Sequence, residues 1–137
     1  DGAIELFKEP IVRFPDLTAP HINVSMAYRH TDRTEAAEKH LKAALQLVPA
    51  HPVASNEYGL LLRRTGRFTE ARAIYERSLE RFPGYLPVRK NLGILCELYL
   101  GDPGCALEQY EIYSEARPED KEIETGIADL RLRSKID

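Results

Sequence analysis

The side chains able to do chemistry in this chain are few and dispersed. Four histidines, His21, His30, His40 and His51, fall on separate stretches, and no two stand one helical turn apart. A helical zinc site takes its ligands in such close pairs, so this pattern holds no metal. Cys96 and Cys105 are the only cysteines, and neither comes with the paired His that activates a thiol nucleophile. There is no Gly-rich phosphate loop and no Ser-centred nucleophile elbow. Acid pairs such as Glu119-Asp120 read as helix-end carboxylates, placed where exposed backbone amides favour negative charge. These residues make no enzyme and call for no cofactor.

The elements that place these residues are timed by prolines. Pro15, Pro49, Pro83 and Pro118 are separated by 34, 34 and 35 residues. A near-constant period of this length marks a repeat solenoid. Ala3, Ala37, Ala71 and Ala106 each stand twelve residues before a proline, and Phe7, Leu41, Tyr75 and Tyr110 follow four residues after them. Upstream lie Val24-Ser25, Tyr58-Gly59 and Leu92-Gly93, then Tyr28, Leu62 and Cys96. Each period reads as two antiparallel helices. Small residues let the backbones approach, which explains Gly inside a helical pattern at a cost of about 1 kcal/mol against Ala. Ala71 and Ala106 are expected against Gly59 and Gly93, with Tyr75 and Tyr110 filling space between neighbouring repeats. The prolines end each second helix.

On these residues the chain resembles the tetratricopeptide repeat family, whose pattern runs from a large residue through Leu-Gly and Tyr to Ala, an aromatic and a closing Pro. The Trp that often opens the motif is replaced by His21, Ser55 and Arg89. The resemblance implies an all-α fold: a right-handed superhelical solenoid of antiparallel helix hairpins. The expected parts are a second helix of a truncated repeat over 1–15, repeats over 18–50, 52–84 and 86–118, and a polar capping helix over 119–137 with its stripe at Ile123, Ile127 and Leu130. Gly66 is expected to end one helix before Phe68 opens the next. Asp102 is expected to cap a helix starting at Pro103, with the extra residue of the third repeat placed in this turn. The opening half-repeat suggests an excerpt of a longer chain, and its Phe7 and Ile11 are candidates for self-association.

In the family, a concave groove is lined by the first helix of each repeat. By helical spacing that stripe is Ile22, Met26, Arg29 and His30 in the first repeat. It is Asn56, Leu60, Arg63 and Arg64 in the second, and Lys90, Ile94, Glu97 and Leu98 in the third. Apolar centres flanked by Arg29, Arg63, Arg64 and Lys90 suit an extended or helical peptide with apolar anchors and acidic flanks, since arginine forks onto carboxylates. Some family members grip a C-terminal carboxylate with Lys and Asn; here Ile22 and Met26 hold those places in the first repeat, which excludes that clamp. The resemblance therefore implies a non-catalytic protein-interaction scaffold. The alternatives are a regulatory or assembly domain of a larger enzyme lying upstream, or RNA binding by a related helical-hairpin repeat.

Composition agrees with a scaffold and disfavours nucleic acid. The 137 residues are 43% hydrophobic and 30% charged, with a net charge of −3, the wrong sign for a general nucleic-acid binder. The charge is uneven: residues 51–100 carry eight bases and five acids, residues 101–137 ten acids and five bases. No apolar run reaches the ~18 residues of a membrane span. The last repeat and cap also resemble bacterial tetratricopeptide proteins, some of them exported lipoproteins of envelope machinery, which leaves a cytoplasmic or a periplasmic setting open. A Cys96–Cys105 disulfide is conceivable in an exported protein, but Cys105 is expected to face solvent while Cys96 packs inside, which favours free thiols.

Overall fold

The computed structural model describes residues 18–30 and 33–136; the expected helix over 1–15, with Phe7 and Ile11, lies outside the described residues. The described residues form seven helices and no strand: α1 (Thr18–His30), α2 (Thr34–Leu47), α3 (Pro52–Arg64), α4 (Phe68–Arg81), α5 (Leu86–Leu98), α6 (Pro103–Ala116) and α7 (Lys121–Ile136). The hairpins α1–α2, α3–α4 and α5–α6 stack as a solenoid, with α7 packed on α6. First helices also touch first helices, α1 to α3 and α3 to α5. That difference is written in the burial. The second helix α4 buries a narrow stripe, Ala71, Tyr75, Ser78 and Leu79. The first helix α3 buries Ala54, Ser55, Tyr58, Gly59, Leu61 and Leu62, because it is packed from several sides.

The turns follow from their glycines and caps. Gly66 and Gly101 take left-handed backbone, φ 78° and 60°, a conformation open to Gly without a Cβ clash. Asp102 caps α6 by accepting from the Cys105 N–H at 3.0 Å, with Pro103 in the first turn. The extra residue of the third repeat sits before Asp102 and not in Asp102-Pro103-Gly104. Arg67 N–H closes on the Leu62 carbonyl, whereas its counterpart Asp102 N–H closes on that of Cys96. The return bond spans one more residue, within Tyr99–Gly101.

The closest approach inside the second and third hairpins is made by tyrosine rings. The rings of Tyr75 and Tyr110 are the nearest groups to Gly59 and Gly93, and a Cβ at either glycine would overlap a ring. Tyr110 also reaches Gly126 of α7, so it joins neighbouring hairpins as expected. The two tyrosines end differently. Tyr110 donates to Glu97 at 2.8 Å, while the buried Tyr75 hydroxyl meets no protein partner. Burial pushes both phenols above their ordinary value. An unmet buried hydroxyl costs stability and a met one adds about 1 kcal/mol. Tyr75→Phe is therefore expected to leave urea stability unchanged or raised, and Tyr110→Phe to lower it by about 1 kcal/mol.

Candidate functional site

The first-helix stripe lies where α1, α3 and α5 stack side by side. Asn91 of α5 donates to Asn56 of α3 at 2.7 Å, tying two groove helices together. At the α1 end, Ile22 and Met26 share a hollow of about 230 Å³ with His51 and Val53. Ile22 is only 5% exposed and belongs to the core, and Met26 is half-buried against it. Leu60 and Ile94 are half-buried, and Leu98 is 65% exposed. The side chains of Arg29 and His30 lie outside the described residues.

Partner bonds divide the charged members. Lys90 donates to Asp120 at 2.9 Å and lies 5.5 Å over the Tyr113 ring. Asp120 in turn accepts from Tyr113 at 2.8 Å. The Asp120 bond holds Lys90 above its ordinary pKa, and the Lys90 bond holds Asp120 below its own. Glu97 accepts from Tyr110 and, at 3.1 Å, from Arg133 of α7. Arg63 is half-buried, its guanidinium 5.6 Å from the centre of the Tyr99 ring. Tyr99 itself packs on Phe68 with centroids 5.0 Å apart. Such cation–π seating orients an arginine without spending its hydrogen bonds. Arg64 is exposed. Of the four bases named from spacing, Arg63 and Arg64 are thus the two whose side chains are described and carry no ion pair. Spacing did not pick out Tyr99, Asn91 or Asp120. Tyr99 follows the helix end and Asp120 precedes the next first helix, so both fall off the stripe.

Two further expectations are corrected. Cys96 and Cys105 are joined as a disulfide across the α5–α6 hairpin, with Cα atoms 5.9 Å apart. Cys105 is half-buried; at the first turn of α6 it points back toward Cys96 and not out to solvent. His21 and His40, read as dispersed, meet with Nδ1 atoms 3.1 Å apart. The repeat register contained this pair: one and two periods on, their places are Ser55–Ile74 and Arg89–Gln109, and Arg89 donates to Gln109 at 2.9 Å. Among the described residues no three His, Cys, Asp or Glu side chains gather as a metal site. No described helix is long and apolar enough to cross a membrane.

The model of the tetratricopeptide repeat family matches residues 26–85, from α1 to the turn before α5. These hairpins are tetratricopeptide repeats. A thermophilic tetratricopeptide protein of Thermus thermophilus aligns with TM-score 0.78 at 25% identity, over 95% of this chain and 72% of its own. YrrB, described as a tetratricopeptide protein with an unusual peptide-binding site, aligns at 0.86 and 20% identity, over 98% and 69%. PilF of Pseudomonas aeruginosa aligns at 0.84 and 19% identity, over 98% and 63%. At these identities the likeness is one of fold. No curated protein matches the chain. The tetratricopeptide fold supports a protein-interaction scaffold in general.

The disulfide closes a short loop, whose chain-entropy contribution is about 2–3 kcal/mol. Air-oxidised protein is expected to block no thiols with iodoacetamide when unfolded without reductant, and to lose about that much stability on reduction. A second prediction concerns His51, whose Nδ1 accepts from the Ala54 N–H at 3.3 Å and caps α3. Burial holds the His51 imidazole below its ordinary value, so the folded chain keeps it neutral, as an accepting cap must be. That contribution is whole above the ordinary histidine pKa of 6.5. It falls away as the pH drops from there toward the lowered folded value. His51→Asn, which caps without titrating, is expected to show a shallower loss of urea stability than wild type between about pH 7 and 5.

Proposed function

We propose that this chain is a non-catalytic scaffold whose concave groove takes an acidic peptide with apolar anchors. The observation behind this reading is Arg63 seated over the Tyr99 ring, with the exposed Arg64 next to it in sequence and the exposed Leu98 just before Tyr99. Lys90 and Glu97 are neutralised within the fold by Asp120 and Arg133. They shape the third-repeat end of the groove and do not select charge. The two arginines would then fork onto carboxylates of the guest. Leu60, Ile94 and Leu98 would receive its apolar side chains. YrrB, with its peptide-binding site on the same fold, supports a peptide as the class of guest. The Cys96–Cys105 disulfide supports an oxidising compartment, such as a bacterial envelope, as the place of work.

A fluorescent peptide with leucine anchors and flanking glutamates is expected to bind the wild-type chain. The double variant Arg63→Glu, Arg64→Glu is expected to lose that binding, by at least about ten-fold, the sum of two reversed charge contacts. Undiminished binding by the variant, or equal binding of a lysine-flanked control peptide, would remove the groove assignment.

A further inference from the structure

The third repeat holds a carboxylate shared between a phenol and an arginine. Glu97 Oε1 accepts from the Tyr110 hydroxyl at 2.8 Å, and Glu97 Oε2 accepts from the Arg133 guanidinium at 3.1 Å. Glu97 meets that hydroxyl because it stands four residues after Gly93, across which the Tyr110 ring lies. Residues four apart share one face of a helix.

The second repeat has the phenol and an arginine but puts no carboxylate between them. The Tyr75 ring lies across Gly59 as Tyr110 lies across Gly93. Four residues after Gly59, in the place of Glu97, stands Arg63. A guanidinium only donates hydrogen bonds, so it cannot take the phenol proton as Glu97 does. The Tyr75 side chain is fully buried, and among the described residues its hydroxyl meets no protein partner. Burial pushes the phenol above its ordinary value, the Arg63 charge draws it down, and Glu57 adds to the rise. Guanidinium and hydroxyl are thus near enough to feel each other, yet Arg63 lies over the Tyr99 ring and not on the hydroxyl. An unmet buried hydroxyl is costly, and phenylalanine would fill the same ring space without that cost.

We infer that the Tyr75 hydroxyl and Arg63 together receive a glutamate carboxylate of the guest peptide, in the pattern that Tyr110 and Arg133 set around Glu97. This rests on the groove reading above and adds a second donor to it. One carboxylate oxygen accepts from the phenol and the other from the guanidinium. Arg63 is half-buried on a flexible stem; it swings aside to uncover the hydroxyl and bonds the carboxylate from the outer side. Both groups of the seat donate, so a glutamine, whose amide nitrogen also donates, is rejected. Tyr75 thereby becomes a specificity-determining residue.

The test uses the 137-residue chain and the leucine peptide in two forms, flanked by glutamates or by glutamines. Wild type is expected to prefer the glutamate form. Tyr75→Phe keeps the ring and is expected to weaken glutamate binding about ten-fold, the effect of one hydrogen bond to a charged group, and to leave glutamine binding unchanged. In protein with isotope-labelled tyrosine, the Tyr75 Cζ resonance is expected to move with the glutamate peptide alone. A second measurement needs no guest. Arg63→Glu places a carboxylate where Glu97 stands in the third repeat, so adding Tyr75→Phe to it is expected to lower the urea midpoint. In the wild-type background Tyr75→Phe leaves that midpoint unchanged or raised, and the reversal of sign reads the hydroxyl directly. Equal glutamate binding by wild type and Tyr75→Phe would overturn the role of Tyr75 and leave the groove standing. No binding by wild type, or binding that survives Arg63→Glu, Arg64→Glu, would overturn both. A hydroxyl served by a buried water only would show an unmoved Cζ resonance and no reversal of sign, and would also overturn the proposal.

Discussion

The ring of Tyr110 against the bare backbone of Gly93 sets the distance between two helices, and the rest of the fold is scaled to it. With no Cβ in the way, α5 and α6 approach closely enough for Cys96 to reach Cys105 and for Glu97 to receive the Tyr110 hydroxyl. The same ring extends to Gly126 and positions α7. Gly59 and Tyr75 repeat the arrangement one hairpin earlier, without a partner for the hydroxyl. Gly in a helix costs about 1 kcal/mol. Burying an aromatic ring returns more than that, at about 1.5–3 kcal/mol.

Order between hairpins is kept by polar bonds at a recurring place. Glu38 of α2 accepts from Arg67, at the start of the next second helix, at 2.8 Å. One repeat on, Arg72 of α4 donates to Asp102 at 3.0 Å. The places are equivalent and the signs are exchanged. The Arg67 bond, with Tyr58 donating as well, holds Glu38 at about 2, far below its ordinary pKa. A swapped hairpin would set Glu38 against Asp102, so the exchange penalises the wrong stacking order.

Much of this was legible in the sequence, and the reason is physical. Close packing repeats with the backbone, so Gly59 and Gly93 recur 34 residues apart and Tyr75 and Tyr110 recur 35 apart, and together they disclose the hairpins. Local chemistry is legible too: Asp102 before Pro103 reads as a cap and is one. Bonds between repeats were not legible, because their polarity is not periodic. Lys90 reads as a free groove cation until Asp120, thirty residues on, is placed beside it. The disulfide is not legible because a residue at a helix start ordinarily faces solvent, whereas the first turn of α6 faces α5 at Cys105. His21 and His40 stand nineteen residues apart and disclose their contact only through the repeat register that pairs Arg89 with Gln109.

The proposed guest recognition lies on the stacked first helices, with Arg63 and Arg64 as the charge readers. The most direct measurement is a nuclear magnetic resonance titration of the isotope-labelled chain with the glutamate-flanked leucine peptide. Amide shifts are expected to gather on Asn56, Leu60, Arg63, Arg64, Leu98 and Tyr99, with the backs of α4 and α6 unmoved. Shifts gathered on α4 and α6, with those groove amides still, would contradict it.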